Sequence, residues 1–115
     1  MSIKVTTLNN VDIAVIEARG SIIGGDETDE LKAKAKDLVD QGNKKLILDL
    51  THVTYLNSSG IGAVVSIHTM YSKIEGKIKV CGLGKGVKNV FVITSLTRVI
   101  DVEESRDDAI KNFQA

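Results

Sequence analysis

The chain has 115 residues, enough for one domain that buries roughly two thirds of its unfolded surface without a disulfide or metal staple. Its 15 basic and 15 acidic side chains cancel, which removes the basic footprint of a nucleic-acid binder, and 3% aromatic residues with no Trp leave no stacking platform for single strands. The N-terminus reads as a strand rather than a signal peptide, no apolar run approaches membrane-spanning length, and a single cysteine, Cys81, excludes an intrachain disulfide and fits a cytoplasmic protein.

Ile3, Val5 and Thr7 alternate with Lys4 and Thr6, as in a half-buried edge strand. Asn9-Asn10 signals a turn, and the apolar run from Val11 to Ala18 completes a hairpin that Gly20 ends. Gly24-Gly25-Asp26 opens a helix, with Asp26 as its cap and Glu27, Asp29 and Glu30 at its positive end. Leu31, Ala35, Leu38 and Val39 form one face of that helix, and Gly42 is its C′ residue. The short apolar run from Lys45 to Leu50, KLILDL, reads as a buried, parallel strand. Thr51 to Leu56 then leads to the stretch Asn57-Ser58-Ser59-Gly60-Ile61-Gly62.

A helix from Ser59 to Glu75 follows, closed by Gly76. It carries two apolar stripes, Ile61, Val64, Val65 and His68, and Ala63, Ile67, Met70 and Ile74. So wide an arc is largely buried or keeps a face, including Met70 or Tyr71, for a partner. Lys77 to Cys81 is a further strand. The segment from Lys85 to Leu96 is ambiguous: Val87, Val90, Phe91 and Thr94 have helical spacing, whereas VFVIT has strand propensity. Arg98 to Val102 reads as a short strand, and Ser105-Arg106-Asp107-Asp108 as a capping box with Asp in place of Glu, docking Ala109, Ile110 and Phe113 in a terminal helix. Strands alternating with helices make the fold α/β.

Several constellations compete for function. Asn57, Ser58 and Ser59 are good helix N-caps, and Gly60 and Gly62 allow close approach of another surface. Free N–H groups and the helix dipole favour an anion there, so the stretch is either a capped turn or a place where a hydroxyl carries phosphate. Gly82-Leu83-Gly84-Lys85-Gly86 lacks the Ser or Thr of a nucleotide loop and the third glycine of a dinucleotide fingerprint; a strand-to-helix turn explains it better. His52 and His68 are not spaced as a metal pair, Cys81 reads as a buried hydrophobe, and no nucleophile elbow surrounds Ser58 or Ser59. Asp49 stands where α/β proteins often keep a functional acid, or simply caps the next turn.

With these residues in view, the chain resembles the STAS-domain anti-sigma factor antagonists of bacteria over nearly its whole length. The family's Asp-Ser-Ser/Thr/Ala-Gly-Leu/Ile-Gly turn appears as Asn57 to Gly62. Leu46-Ile47-Leu48-Asp49-Leu50, Val53 and Tyr55 look like the approach to it, and Val87, Val90, Phe91, Thr94, Leu96, Val102, Ser105, Ala109 and Ile110 like the family's late pattern. The resemblance implies a single STAS domain over residues 1–115, with a mixed four- to five-stranded sheet, about four helices packed on it, and a helix over 85–96. It implies that Ser58 is phosphorylated by a partner that is both anti-sigma factor and serine protein kinase. Unphosphorylated antagonist binds that partner and releases the sigma factor, and a PP2C-type phosphatase reverses the modification. The contact surface would comprise Gly24, Gly25, Asp26, Asn57, Ser58, Ser59, Gly60, Ile61 and Gly62. It implies no enzyme activity; no cofactor, no metal, no direct nucleic-acid or membrane partner and a monomer when free are expected as well. Two positions depart from the family: Asn57 replaces the motif Asp, and Ile23-Gly24-Gly25 replaces an acidic residue after the second strand. Both remove negative charge near Ser58. The competing readings are an unphosphorylated STAS scaffold in a signalling or lipid-transport assembly, and a small hydrolase or nucleotide binder using Ser58 or the Gly82–Gly86 loop.

Overall fold

The computed structural model describes residues 2–114. Five strands, β1 (Ser2–Leu8), β2 (Ile13–Ile22), β3 (Lys45–Leu56), β4 (Lys77–Cys81) and β5 (Asp101–Glu103), lie side by side in chain order in one sheet. β1 is antiparallel to β2, and every later pair is parallel. The crossovers are made by α1 (Asp26–Asp40), α2 (Ser58–Ser72) and α3 (Lys85–Ile93), and α4 (Arg106–Gln114) ends the described chain.

The continuous apolar runs of β2 and β3 follow from burial on both faces. On one face Ala14, Ile16, Leu46, Leu48, Ile78 and Val80 meet Leu31 and Ala35 of α1, Val64, Ile67 and Tyr71 of α2, and Phe91 of α3. On the other, Ile13, Val15, Ile47 and Cys81 meet Ala109, Ile110 and Phe113 of α4. The expected edge strand is β1, although within it Val5 is exposed and Thr6 half-buried.

The observed ends differ from the expected ones for identifiable reasons. β2 does not end at Gly20: that residue has φ 97 at a register irregularity against β3, and pairing resumes to Ile22. The extra residue is Thr54 of β3, unpaired between Gly20↔Val53 and Ser21↔Tyr55, so the bulge lies on β3 opposite Gly20. β3 likewise continues to Leu56, because the extended β2 supplies a partner as far as Ile22↔Leu56. Asp26 does not cap α1; Gly25 is the N-cap without a side-chain bond, and the Gly24 N–H donates to Thr28 Oγ1 at 2.9 Å. Gly42 is the expected C′ residue, with φ 91, its N–H bonded to Val39 O and that of Asn43 to Leu38 O. α2 begins at Ser58 and ends at Ser72; Glu75 takes the left-handed conformation, φ 59. The Lys85–Leu96 segment is helix only as far as Ile93, after which Ser95 turns left-handed, φ 62, into a short 3-10 turn at Leu96–Arg98. β5 therefore starts at Asp101 rather than Arg98. Tyr71 is buried and donates its hydroxyl to Asn43 Oδ1 at 2.7 Å, which removes it as a partner-facing residue, while Met70 is half-buried against the core.

Candidate functional site

Parallel pairing of Ile22 with Leu56 delivers two loops to the same carboxyl edge of the sheet. Each loop opens a helix, α1 from Gly25 and α2 from Asn57. Asn57 is the hinge between them. Its Oδ1 accepts the Gly60 N–H at 3.0 Å, the bond expected of an N-cap, and its Nδ2 donates to the Ile23 carbonyl at 3.0 Å. An aspartate could make the first bond but, when ionised, not the second. The departure from the family motif at this position thus has a structural use, fastening the β2–α1 loop to the start of α2.

The glycines divide the remaining work. Gly24 (φ 95) and Gly25 (φ 81) adopt conformations that disfavour a side chain. A Cβ on Gly24 would lie 3.1 Å from Ser59 Cβ, so the loop presses against Ser59. A Cβ on Gly60 would collide with the Ile22 carbonyl oxygen and come within 2.8 Å of Leu56 Cδ1, so this glycine serves contact inside the molecule. A Cβ on Gly62 would meet nothing within 4 Å, and Gly62 is exposed. Ile61 is half-buried against the core.

Ser58 and Ser59 are both exposed, but only Ser59 stands beside Gly24. The Gly60 N–H is taken by Asn57 Oδ1 and the Ile61 N–H by the Asn57 carbonyl at 2.9 Å. The N–H groups of Ser58 and Ser59 are the ones a helix start leaves for solvent or an anion. No acidic residue occupies the first turn of α2, whereas α1 begins with Asp26, Glu27 and Asp29. The positive end of α2 therefore lacks any carboxylate of its own beside Ser58. The structure brings all the residues singled out from Gly24 to Asp26 and from Asn57 to Gly62 to one edge.

The other candidates take structural roles. Gly82 (φ 74) turns β4 toward α3, where a Cβ would strike the Thr51 side chain. The Cys81 thiol is buried, and burial pushes its pKa up to about 12, leaving it protonated. Among the described residues no group of three His, Cys, Asp or Glu side chains fits a metal ion.

Sequence reasoning missed an ionic cluster on the α4 face. Arg106 donates to Asp49 Oδ2 through Nε at 3.0 Å and a terminal nitrogen at 2.8 Å, and also to Glu17 at 3.0 Å. Burial alone would raise the Asp49 pKa, but bonds from the Thr51 hydroxyl and N–H and from Arg106 outweigh it, and the net direction is down. Buried Lys79 bridges Asp101 and Glu103 at 3.0 and 3.1 Å and lies 5.1 Å from the centre of the Phe113 ring. Asp49 thus accepts the Thr51 N–H locally, as a cap would, but inside β3 where no turn follows, and its other oxygen anchors the terminal helix through Arg106. Single acids inside apolar strands, Glu17 and Asp49, were the only sequence signal for this cluster.

The family described as STAS domain matches residues 2–109. BtrV of Bordetella bronchiseptica, which carries the name of an anti-sigma factor antagonist, is 25% identical over 108 residues, covering 94% of this chain and 93% of that protein. The anti-sigma-B factor antagonist of Bacillus subtilis is 30% identical over 81 residues, 70% of this chain and 73% of its own. A crystal structure named for an anti-sigma factor antagonist of Thermotoga maritima superposes with a TM-score of 0.89 at 18% identity, covering 98% of this chain and 95% of that one.

Proposed function

The chain belongs to the STAS domain family, and from that premise we propose that it is an anti-sigma factor antagonist whose Ser58 is the phosphoacceptor of a partner switch. In its unphosphorylated form it binds an anti-sigma factor that is also a serine kinase, and so frees the sigma factor. A PP2C-type phosphatase resets it. The names of the relatives support the antagonist role. The observation that carries the site is the exposed Ser58 as first residue of α2, beside a cap that bears no charge.

The physical logic is local. A phosphate on Ser58 adds about −1.5 to −2 charges at a helix N-terminus, which tolerates an anion, so the domain stays folded. The effect falls on the interface: a surface fitted to a neutral Ser-Ser-Gly turn must then desolvate a dianion, and a penalty of ~3 kcal/mol weakens binding more than a hundredfold. Ser59 is the poorer acceptor, because the Gly24 backbone stands against its side chain. The chain works by binding rather than turnover; purified protein is expected to show no ATP hydrolysis that a Lys85→Ala change removes.

The test is incubation with the cognate kinase and ATP, then site-mapped mass spectrometry of wild type, Ser58→Ala and Ser59→Ala. Phosphate on wild type and Ser59→Ala but not Ser58→Ala is expected, and Ser58→Asp should bind the kinase more weakly at unchanged stability. Phosphate on Ser59 alone reassigns the site. No phosphate with an active kinase favours a constitutive scaffold.

A further inference from the structure

The face of α3 that turns away from the core has the wrong chemistry for an ordinary solvated helix. Val87 and Phe91 point inward and are buried. The opposite side, at helical spacing, presents Lys85, Lys88, Val92 and Ile93, and the 3-10 turn adds Arg98 and Val99 beyond it. Val92 is 56%, Ile93 81% and Val99 58% exposed. The stretch from Gly82 to Ile100 contains three cations and no acid. None of the three cations takes part in an ion pair among the described residues. The acids that follow are engaged elsewhere: Asp101 with Lys77 and Lys79, Glu103 with Lys79 and Asn112. Exposed aliphatic side chains clustered among unpaired cations mark a contact surface.

We propose that this face of α3 and the following turn is a peripheral docking surface for an anionic phospholipid bilayer. The composition selects a bilayer over a protein. Protein interfaces favour Tyr, Trp, Phe, Met and Arg and are depleted in Lys, whereas this face offers two lysines and aliphatic side chains without an exposed aromatic. At an anionic leaflet Lys85, Lys88 and Arg98 keep their charged heads in the lipid phosphate layer while Ile93, Val92 and Val99 reach the acyl boundary. Each cation held near such a leaflet strengthens association about fivefold, so the three together contribute about a hundredfold. Three aliphatic tips add a shallow anchor, and the docking is weak and reversible. It runs against the expectation of no membrane partner; the lack of an apolar run of membrane-spanning length argues against a spanning segment, not against surface docking. It is independent of the switch at Ser58.

The experiment is sedimentation of the purified full chain with vesicles of pure phosphatidylcholine and with vesicles of phosphatidylcholine mixed with phosphatidylglycerol, at low and physiological salt. Wild type should bind the mixed vesicles, weaken as salt rises, and ignore pure phosphatidylcholine. Lys88→Glu should reduce binding at least tenfold, and Ile93→Asp likewise, with circular dichroism unchanged since both residues are exposed. No binding to mixed vesicles overturns the proposal and leaves an acidic protein as the occupant. So does binding that Lys88→Glu leaves intact. Polyglutamate serves as a charge-only control: equal binding to it and to vesicles, with both indifferent to Ile93→Asp, reduces the face to a nonspecific polyanion patch and also overturns the proposal.

Discussion

The two faces of the sheet are closed by different forces. Three helices cover one face with aliphatic side chains, Phe91 and Tyr71. A single helix covers the other, and there a small apolar cluster is joined by Arg106, Asp49, Glu17, Lys79, Asp101 and Glu103. The apolar face depends on area removed from water and is indifferent to pH. The ionic face depends on charges whose partners lie far away in sequence, and weakens when one of them is neutralised. The Ser58 edge belongs to α2, on the apolar side, so a charge can be added there without touching the ionic clasp that holds α4.

The contrast is best broken by substitutions in each face. Phe91→Ala leaves a cavity in the apolar face and should lower stability by about 3–5 kcal/mol with little dependence on pH, measured by urea unfolding at several pH values. Arg106→Met should cost less, about 1–3 kcal/mol, because the guanidinium side chain is 36% exposed and partly screened, and Asp49 keeps its Thr51 bonds. The sign with pH is definite. The Asp49 carboxyl is held below its ordinary value of 3.8, so its contribution is complete above that pH and fades as pH falls through the depressed value. Wild type should therefore lose stability in acid faster than Arg106→Met, and the two unfolding curves should converge there; parallel curves would remove the clasp from the account.

A finer comparison concerns the cap. Asn57→Asp keeps the Gly60 bond but sets a carboxylate against the Ile23 carbonyl in place of a donor. The expected cost is about 1 kcal/mol at neutral pH, shrinking in acid once the carboxyl is protonated and can donate. Thermal unfolding of both proteins across that range measures it. The smallest effect on the fold is expected from Gly62→Arg. The position is open, and replacing a helical glycine gains up to ~1 kcal/mol of propensity. Binding to the anti-sigma partner should nevertheless fall at least tenfold in a calorimetric titration. Unchanged affinity would take Gly62 out of the proposed contact surface.

Periodicity and turn chemistry make most of this fold legible in the sequence. The β2 and β3 runs, the C′ glycine at Gly42, the Asn57 cap and the Ser105 cap, whose hydroxyl accepts the Asp108 N–H at 3.1 Å, are all local matters. They depend on residues within a few positions of one another. The misreadings of Gly20 and Tyr71 fall where a distant partner decides, whereas those of the Asp26 cap and of the end of α3 are local. Gly20 looked like a stop because β3 was not there to carry the strand on. Tyr71 looked like a free surface because Asn43 was not there to take its hydroxyl.

The same division holds at the site. Sequence by itself determined the neutral Asn-Ser-Ser-Gly turn, the α/β alternation and the family, since each is written in a contiguous stretch or a fixed spacing. Tertiary structure alone decided that Gly60 is spent against Ile22, that Ser59 rather than Ser58 faces Gly24, and that Asn57 holds Ile23 across the loop. It alone placed Arg106 on Asp49, 57 positions away. A hydrogen bond or a steric contact depends on distance in space, and for residues so far apart in the chain that distance is set only when the strands pair.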